Sequence, residues 1–127
     1  MKVFLDDFRH PSVCVNYMHP RIGAAAALYS TEWAIVRNYA QFIDCIEKNY
    51  AEITHVSFDH DLAEIHYDPS TWKESFKYDE ETGYDCAKWM IDFYQSKQLP
   101  LPVCFVHSQN PVGTKNILDL LARPFKI

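Results

Sequence analysis

The chain has 127 residues, 48% of them hydrophobic and 15% aromatic, with a formal net charge of −5. That is one domain's length, expected over 1–127, with enough apolar content to build a core without disulfide or metal staples, so a disordered chain is excluded. The acidic balance argues against a binder of duplex DNA, which needs basic stripes, but leaves room for a small anionic substrate. Cys14, Cys45, Cys86 and Cys104 are widely spaced with no C-x-x-C pair, and read as free thiols. Asp6-Asp7 interrupt the N-terminal apolar run too early for a signal peptide, and no run reaches membrane-spanning length. The expected compartment is cytoplasmic, with no membrane partner.

In chain order, residues 2–5 read as a buried strand that runs into Asp6-Asp7. Pro11 discourages further pairing. Residues 12–30 read as an irregular connection with one or two helical turns, because Pro20 and Gly23 interrupt what precedes the Ala24–Leu28 run. Residues 33–37 form a second strand. Asn38 then caps an amphipathic helix over 39–50, with Phe42, Ile43, Cys45 and Ile46 at helical spacing. The central strand covers roughly 53–59 and ends in Asp59-His60-Asp61. Residues 63–81 carry Pro69, Trp72, Phe76 and an acidic Tyr78-Asp79-Glu80-Glu81 cluster. So long a connection reads either as a lid over a site or as an insertion packed on its own aromatics.

Thr82 or Asp85 caps the next helix, whose apolar face is Cys86, Ala87, Met90, Ile91 and Tyr94. Residues 101–106 form a further strand, followed by His107-Ser108-Gln109-Asn110. Pro111-Val112-Gly113 turns the chain into a last helix marked by Ile117, Leu118, Leu120 and Leu121. Pro124 stops it, and Phe125-Lys126-Ile127 is long enough only for a stub of a fifth strand. Strands alternating with helices predict an α/β fold, a doubly wound parallel sheet of four to five strands with helices on both faces.

Ligands in such sheets bind beyond the carboxyl ends of the strands. Three strands here end in ionisable residues. Asp6, Asp7 and Asp59, with Asp61 as a further candidate, crowd like charges at one place, which predicts a cation among them. Hard oxygen ligands without thiolates point to Mg²⁺, Mn²⁺ or Ca²⁺ rather than zinc, and Lys126, Arg9 or Arg21 are the alternative charge partners. His60 and His107 both follow apolar strands, and two imidazoles flanking a phosphate suit ring-opening of a phosphodiester, one taking a proton and one giving it. Arg9 is a candidate phosphate clamp. Ser108, Gln109 and Asn110 offer neutral donors, and Gly113 with the first amides of the last helix offers an anion site.

The acidic pair after the first strand, the Asp ending the third and the hydroxyl residue near the end of the fourth resemble the receiver (flavodoxin/CheY-like) fold. In that fold the acidic pair and the third-strand Asp hold Mg²⁺, and that Asp takes a phosphoryl group. The stretches Leu5–Pro11, Ser57–Leu62, Thr82–Asp85 and His107–Ile117 more closely resemble a receiver offshoot, the cyclic-phosphate-processing receiver-like family. The resemblance covers most of the chain in the right order. It implies a phosphoacceptor site converted by added histidines into one acting on cyclic phosphates, and it brings Asn116 into the substrate-side set.

These readings combine into a metal-dependent phosphoesterase acting on a cyclic phosphate of a nucleotide or RNA end. Asp6, Asp7, Asp59 and Asp61 hold Mg²⁺ or Mn²⁺; His60, His107 and Asp59 are catalytic. Arg9, Ser108, Asn110, Gly113 and Asn116 bind substrate, and Tyr67, Trp72 and Phe76 are candidates to stack on a base. Two alternatives stand beside it: a non-enzymatic receiver phosphorylated on Asp59, and a protein that sequesters a cyclic nucleotide without cleaving it. The unusual length of 63–81 and the lack of a receiver lysine other than Lys126 speak against phosphorelay signalling.

Overall fold

Short strands rich in Val, Ile and Phe pair in parallel at the centre of the structure, a computed structural model that describes residues 1–62 and 82–123. They are β1 (Lys2–Leu5), β2 (Ala34–Val36), β3 (His55–Phe58) and β4 (Val103–Val106), in the spatial order β2-β1-β3-β4. The helices are α1 (Val15–Ile22), α2 (Tyr39–Asn49), α3 (Gly83–Ser96) and α4 (Pro111–Leu121). This is the doubly wound α/β fold that the alternation predicts, and it agrees with the receiver-like fold that the resemblance implies. The chain leaves β1 towards β2 and returns past it to β3, so the winding reverses between β1 and β3.

Strand alternation sorts the core into two layers. Val3 and Leu5 of β1, Val56 and Phe58 of β3 and Val106 of β4 pack with Phe42, Ile46, Met90, Ile117 and Leu120 from α2, α3 and α4. On the opposite face Phe4 packs with Cys14, Met18, Ala26, Tyr29 and Trp33. Helical segments therefore cover both faces. All four cysteines are free thiols, with Cys14 and Cys86 buried. Among the described residues no helix is long and apolar enough to cross a membrane.

The connection after β1 differs from its sequence expectation. It is helical nearly throughout: a 3₁₀ turn over Pro11–Cys14, then α1, then a 3₁₀ helix over Gly23–Ser30. Pro20 is accommodated inside the short α1 at an exposed position. Gly23 (φ 65°) ends α1, its N–H returning to the His19 carbonyl. Beyond it Ala26 and Tyr29 are both buried and three residues apart, the repeat of a 3₁₀ helix rather than an α-helix. A search for a 3.6-residue period passes over such a segment.

The caps follow the sequence more closely. Asn38 accepts the Gln41 amide at 2.9 Å. Thr82 and Asp85 both act, as a capping box: the Thr82 hydroxyl accepts the Asp85 amide and Asp85 accepts the Thr82 amide at 2.8 Å. The last helix starts at Pro111 itself, so Pro111-Val112-Gly113 is its first turn rather than a separate one. The fifth-strand stub, Pro124, Lys126 and the 63–81 segment lie outside the described residues.

Gly83 sets how closely α3 approaches the sheet. Its N–H donates to the His60 carbonyl at 2.7 Å, and a Cβ there would collide with the backbone carbonyl of Asp59. Backbone cannot yield as a side-chain tip does. Gly83→Ala is therefore expected to lower unfolding free energy by roughly 1–3 kcal/mol, read from the denaturant midpoint. An unchanged midpoint would show that α3 does not press on the Asp59–His60 peptide.

Candidate active site

The parallel ladder continues one residue past each strand. The Asp6 amide donates to Val36 O (3.1 Å), the Asp59 amide to Leu5 O (2.9 Å) and the His107 amide to Phe58 O (2.9 Å). With Leu5 opposite Phe58 and Phe58 opposite Val106, this sets Asp6, Asp59 and His107 in one row across β1, β3 and β4. All three are buried. One potential ligand atom from each lies within 4.8 Å of the others. The row sits beside the reversal point of the sheet, at the carboxyl ends of the strands.

Asp6 is the most heavily bonded member. Its Oδ1 accepts the amides of Phe8 (2.9 Å) and Arg9 (2.7 Å), which fold the chain back around the carboxylate. Its Oδ2 accepts from Arg9 Nη1 (3.2 Å) and faces His107 Nε2 (3.0 Å). Burial pushes this carboxyl up, but the His107 contact and the two amides outweigh it and hold the pKa at about 2. Arg37 pins the same loop by donating to the carbonyls of Asp6 (3.2 Å) and Arg9 (2.7 Å).

Asp59 is the opposite case. Burial, then the charge of Asp6, push its pKa to about 7. Arg9 at 3.8 Å and the His60 amide at 2.9 Å only partly offset this, and Asp7 adds to the repulsion. Neighbouring carboxylates thus sit far apart in proton affinity.

The two histidines occupy different settings. His107 is fully buried, stacked on Phe4 with ring centroids 4.3 Å apart. Nε2 faces Asp6 and Nδ1 lies 2.6 Å from Ser57 Oγ, which is 2.6 Å from the Tyr29 hydroxyl. Burial lowers its pKa, against the pull of Asp6. Both ring nitrogens are engaged inside the protein, so His107 is not placed to exchange protons with a substrate, contrary to the catalytic role expected of it from sequence. His60 is partly exposed. Its Nδ1 lies 2.8 Å from Asp61 Oδ1, and among the described residues Nε2 has no hydrogen-bond partner.

This assigns different places to several expected residues. Asp61 is exposed and turned to His60 and Asn110 rather than gathered with Asp6 and Asp59. Asn110 is a helix cap: Oδ1 accepts the amides of Val112 and Gly113, both at 3.1 Å, and Nδ2 donates to Asp61 at 3.2 Å. Those amides are already satisfied, which removes them as a phosphate cradle. Gly113 is required for another reason, since a Cβ there would run into the His60 ring. Ser108 is buried, its hydroxyl accepting the Asn110 amide (3.1 Å) and its carbonyl accepting Arg21 (2.8 Å) and Thr114 (3.0 Å). Asn116 is exposed on α4. Tyr67, Trp72 and Phe76 lie outside the described residues.

Sequence reasoning missed Ser57, Tyr29 and Arg37. Ser57 had a signal: a hydroxyl between Val56 and Phe58 in a buried strand must find a partner. Tyr29 had none, because its segment showed no helical period.

The donor set suits a small hard cation. Carboxylates dominate it, and Asp59 lies close to the charged Asp6 with Arg9 3.8 Å away. Asp6 and Asp59, with Asp7 beside them, are the residues that would hold such a cation.

The pKa shifts carry opposite signs for stability. For Asp59 the folded-state value lies above the ordinary one, so its stabilising contribution is present at acid pH and is lost as pH rises through about 7. For Asp6 the folded value is depressed, so its contribution is present at neutral pH and lost as pH falls towards about 2. Without divalent cations, Asp59→Asn is expected to raise unfolding free energy at about pH 8 on the order of 1–3 kcal/mol, the gain fading below about pH 5. Equal stability of the two proteins at every pH would remove the charge conflict from this site.

Comparison with known families finds that the model described as "Cyclic-phosphate processing Receiver domain" matches residues 1–123. Comparison with curated proteins finds no match, and comparison with solved structures finds none.

Proposed function

The chain belongs to the cyclic-phosphate processing receiver family, and from that membership we propose that it hydrolyses a cyclic phosphate on a nucleotide or an RNA end with the help of Mg²⁺ or Mn²⁺. The observation that carries this reading is the pairing of buried Asp6 and Asp59 at the reversal point of the sheet, bridged by Arg9, with His60 following Asp59 in the chain. A divalent cation held by the carboxylates would neutralise charge on the phosphoryl oxygens as a Lewis acid.

Arg9 is already part of that charge balance. It lies 3.2 Å from Asp6 Oδ2 and 3.8 Å from Asp59 Oδ2, so guanidinium and metal are alternative cations for one place. Releasing Arg9 frees its fork to bind a phosphate oxygen. The same residue then serves the carboxylates without substrate and the substrate once it arrives.

His60 is the proton-transfer group in this reading. Asp61 orients it through Nδ1, the Asn110 cap holds Asp61, and the bare backbone of Gly113 makes room for the ring. Nε2 takes a proton from the attacking water as its oxygen bonds to phosphorus. It returns that proton to the departing ribose oxygen as the ring P–O bond breaks, leaving a phosphomonoester. His107 acts through Asp6 rather than on the substrate.

The test is turnover of 2′,3′- and 3′,5′-cyclic nucleotides, cyclic oligonucleotides and a cyclic-phosphate-ended RNA, with and without Mg²⁺ or Mn²⁺, read by product mass. Metal-dependent ring opening is expected, abolished by Asp59→Asn and lowered roughly 10²–10⁴-fold by His60→Ala. Gly113→Ala, which displaces the ring without touching the carboxylates, is expected to lower turnover roughly 10–100-fold while leaving metal affinity unchanged. Tight binding without turnover would replace hydrolysis by sequestration. Neither, together with phosphorylation of Asp59 by acetyl phosphate, would replace it by a signalling receiver.

A further inference from the structure

We infer that Tyr29 and Ser57 are positioning residues: they form with His107 a one-way hydrogen-bond relay that fixes His107 as its Nε2–H tautomer and holds the Asp6 carboxylate aimed at Asp59. The chain runs from the Tyr29 hydroxyl to Ser57 Oγ (2.6 Å), from Ser57 to His107 Nδ1 (2.6 Å) and from His107 Nε2 to Asp6 Oδ2 (3.0 Å). All four residues are buried.

The direction of the protons follows from Asp6. Its carboxylate already receives N–H groups from Phe8, Arg9 and the Arg9 guanidinium, so it is ionised and can only accept. The nitrogen facing it at 3.0 Å must therefore carry a proton. With Nε2 protonated and the ring neutral, Nδ1 is bare and must accept, so Ser57 donates its hydroxyl proton. The Ser57 oxygen then accepts from Tyr29. Each hydroxyl makes one donation and none is wasted. The reverse order sets a bare Nε2 against a carboxylate. The doubly protonated ring places a cation in a fully buried position and, with Nδ1 donating to Ser57 Oγ, leaves either the Ser57 or the Tyr29 proton with no acceptor among the described residues.

Packing makes the arrangement rigid. Phe4 stacks on the His107 ring, and Tyr29 meets it edge-on with centroids 6.2 Å apart at 74°. Trp33 stacks on Tyr29 at 5.3 Å. The imidazole cannot turn without disturbing the Phe4 and Tyr29 rings packed on it. Tyr29, at the end of a 3₁₀ segment on one face of the sheet, is thereby coupled to a carboxylate at the strand ends. Residues that orient a metal-binding side chain commonly change metal affinity 10–100-fold when removed.

The inference rests on the proposed metal site only for its affinity arm, and the first readout is independent of it. In ¹⁵N-histidine-labelled protein without metal, NMR is expected to show His107 protonated on Nε2 and bare on Nδ1, with a slowly exchanging hydroxyl proton assigned to Ser57 or Tyr29. A proton on Nδ1 would overturn the relay. The second readout is Mn²⁺ affinity. Ser57→Ala is expected to weaken it roughly 10–100-fold and Tyr29→Phe by a smaller factor, with far-UV circular dichroism unchanged. If Ser57→Ala does not fold, Tyr29→Phe carries this arm, because it deletes one oxygen and keeps the ring. Unchanged affinity in the folded variants would overturn the positioning role. Failure of the unaltered protein to bind Mn²⁺ would instead overturn the metal reading, with the tautomer still deciding the relay.

Discussion

Two carboxylates buried side by side repel each other, and much of the strand-end architecture manages that repulsion. Asp6 and Asp59 are adjacent because β1 and β3 are adjacent and in register. Asp6 keeps its charge because four donors converge on it. Asp59 has fewer, and its pKa rises to about 7. A protein selected for stability alone would not leave such a pair in its interior. The unevenness is the physical sign of a site, since groups with strongly perturbed proton affinity cluster where chemistry is done.

The same constraint divides the labour between the histidines. A donor was needed inside, below the carboxylates, and His107 supplies it on a strand whose alternation turns that position into the Phe4–Tyr29 layer. In the proposed hydrolysis the proton carrier is His60, one residue beyond Asp59, where the strand has ended and the chain is free to turn. Asp61 and Asn110 then tie that turn to the start of α4. One histidine is defined by what encloses it and the other by the ring nitrogen that has no partner among the described residues.

Much of this was legible in the sequence, for reasons that can be stated. The strands announced themselves as apolar runs that stop at ionisable residues, and the parallel sheet followed from their alternation with helices. Asp6, Asp59 and His107 were legible as a group because each comes directly after a strand, where register does the rest. Asp61, Asn110 and Gly113 were legible as site residues but not in their places. A sequence shows that an asparagine precedes a helix and a glycine opens it; it does not show which side chain fills the space a missing Cβ leaves. Tyr29 was invisible, because a 3₁₀ segment buries every third residue and mimics neither helix nor strand.

A receiver scaffold lends itself to hydrolysis through a small number of changes at the row. Phosphoryl transfer to an aspartate needs a carboxylate nucleophile and a positive charge beside it, and the strand ends offer Asp59 with the Arg9 guanidinium. Hydrolysis of a cyclic phosphate needs in addition proton transfer from the attacking water and to the departing ribose oxygen. Placing the proton-transfer group next to Asp59 in the chain keeps it within reach of whatever the carboxylates hold, without rebuilding the sheet. The requirement falls on the neighbouring helix, which must have no side chain where the imidazole lies. Gly113 meets it. In the proposed reading, the glycine at the first turn of α4 and the histidine after β3 are one adaptation written at two distant points of the chain.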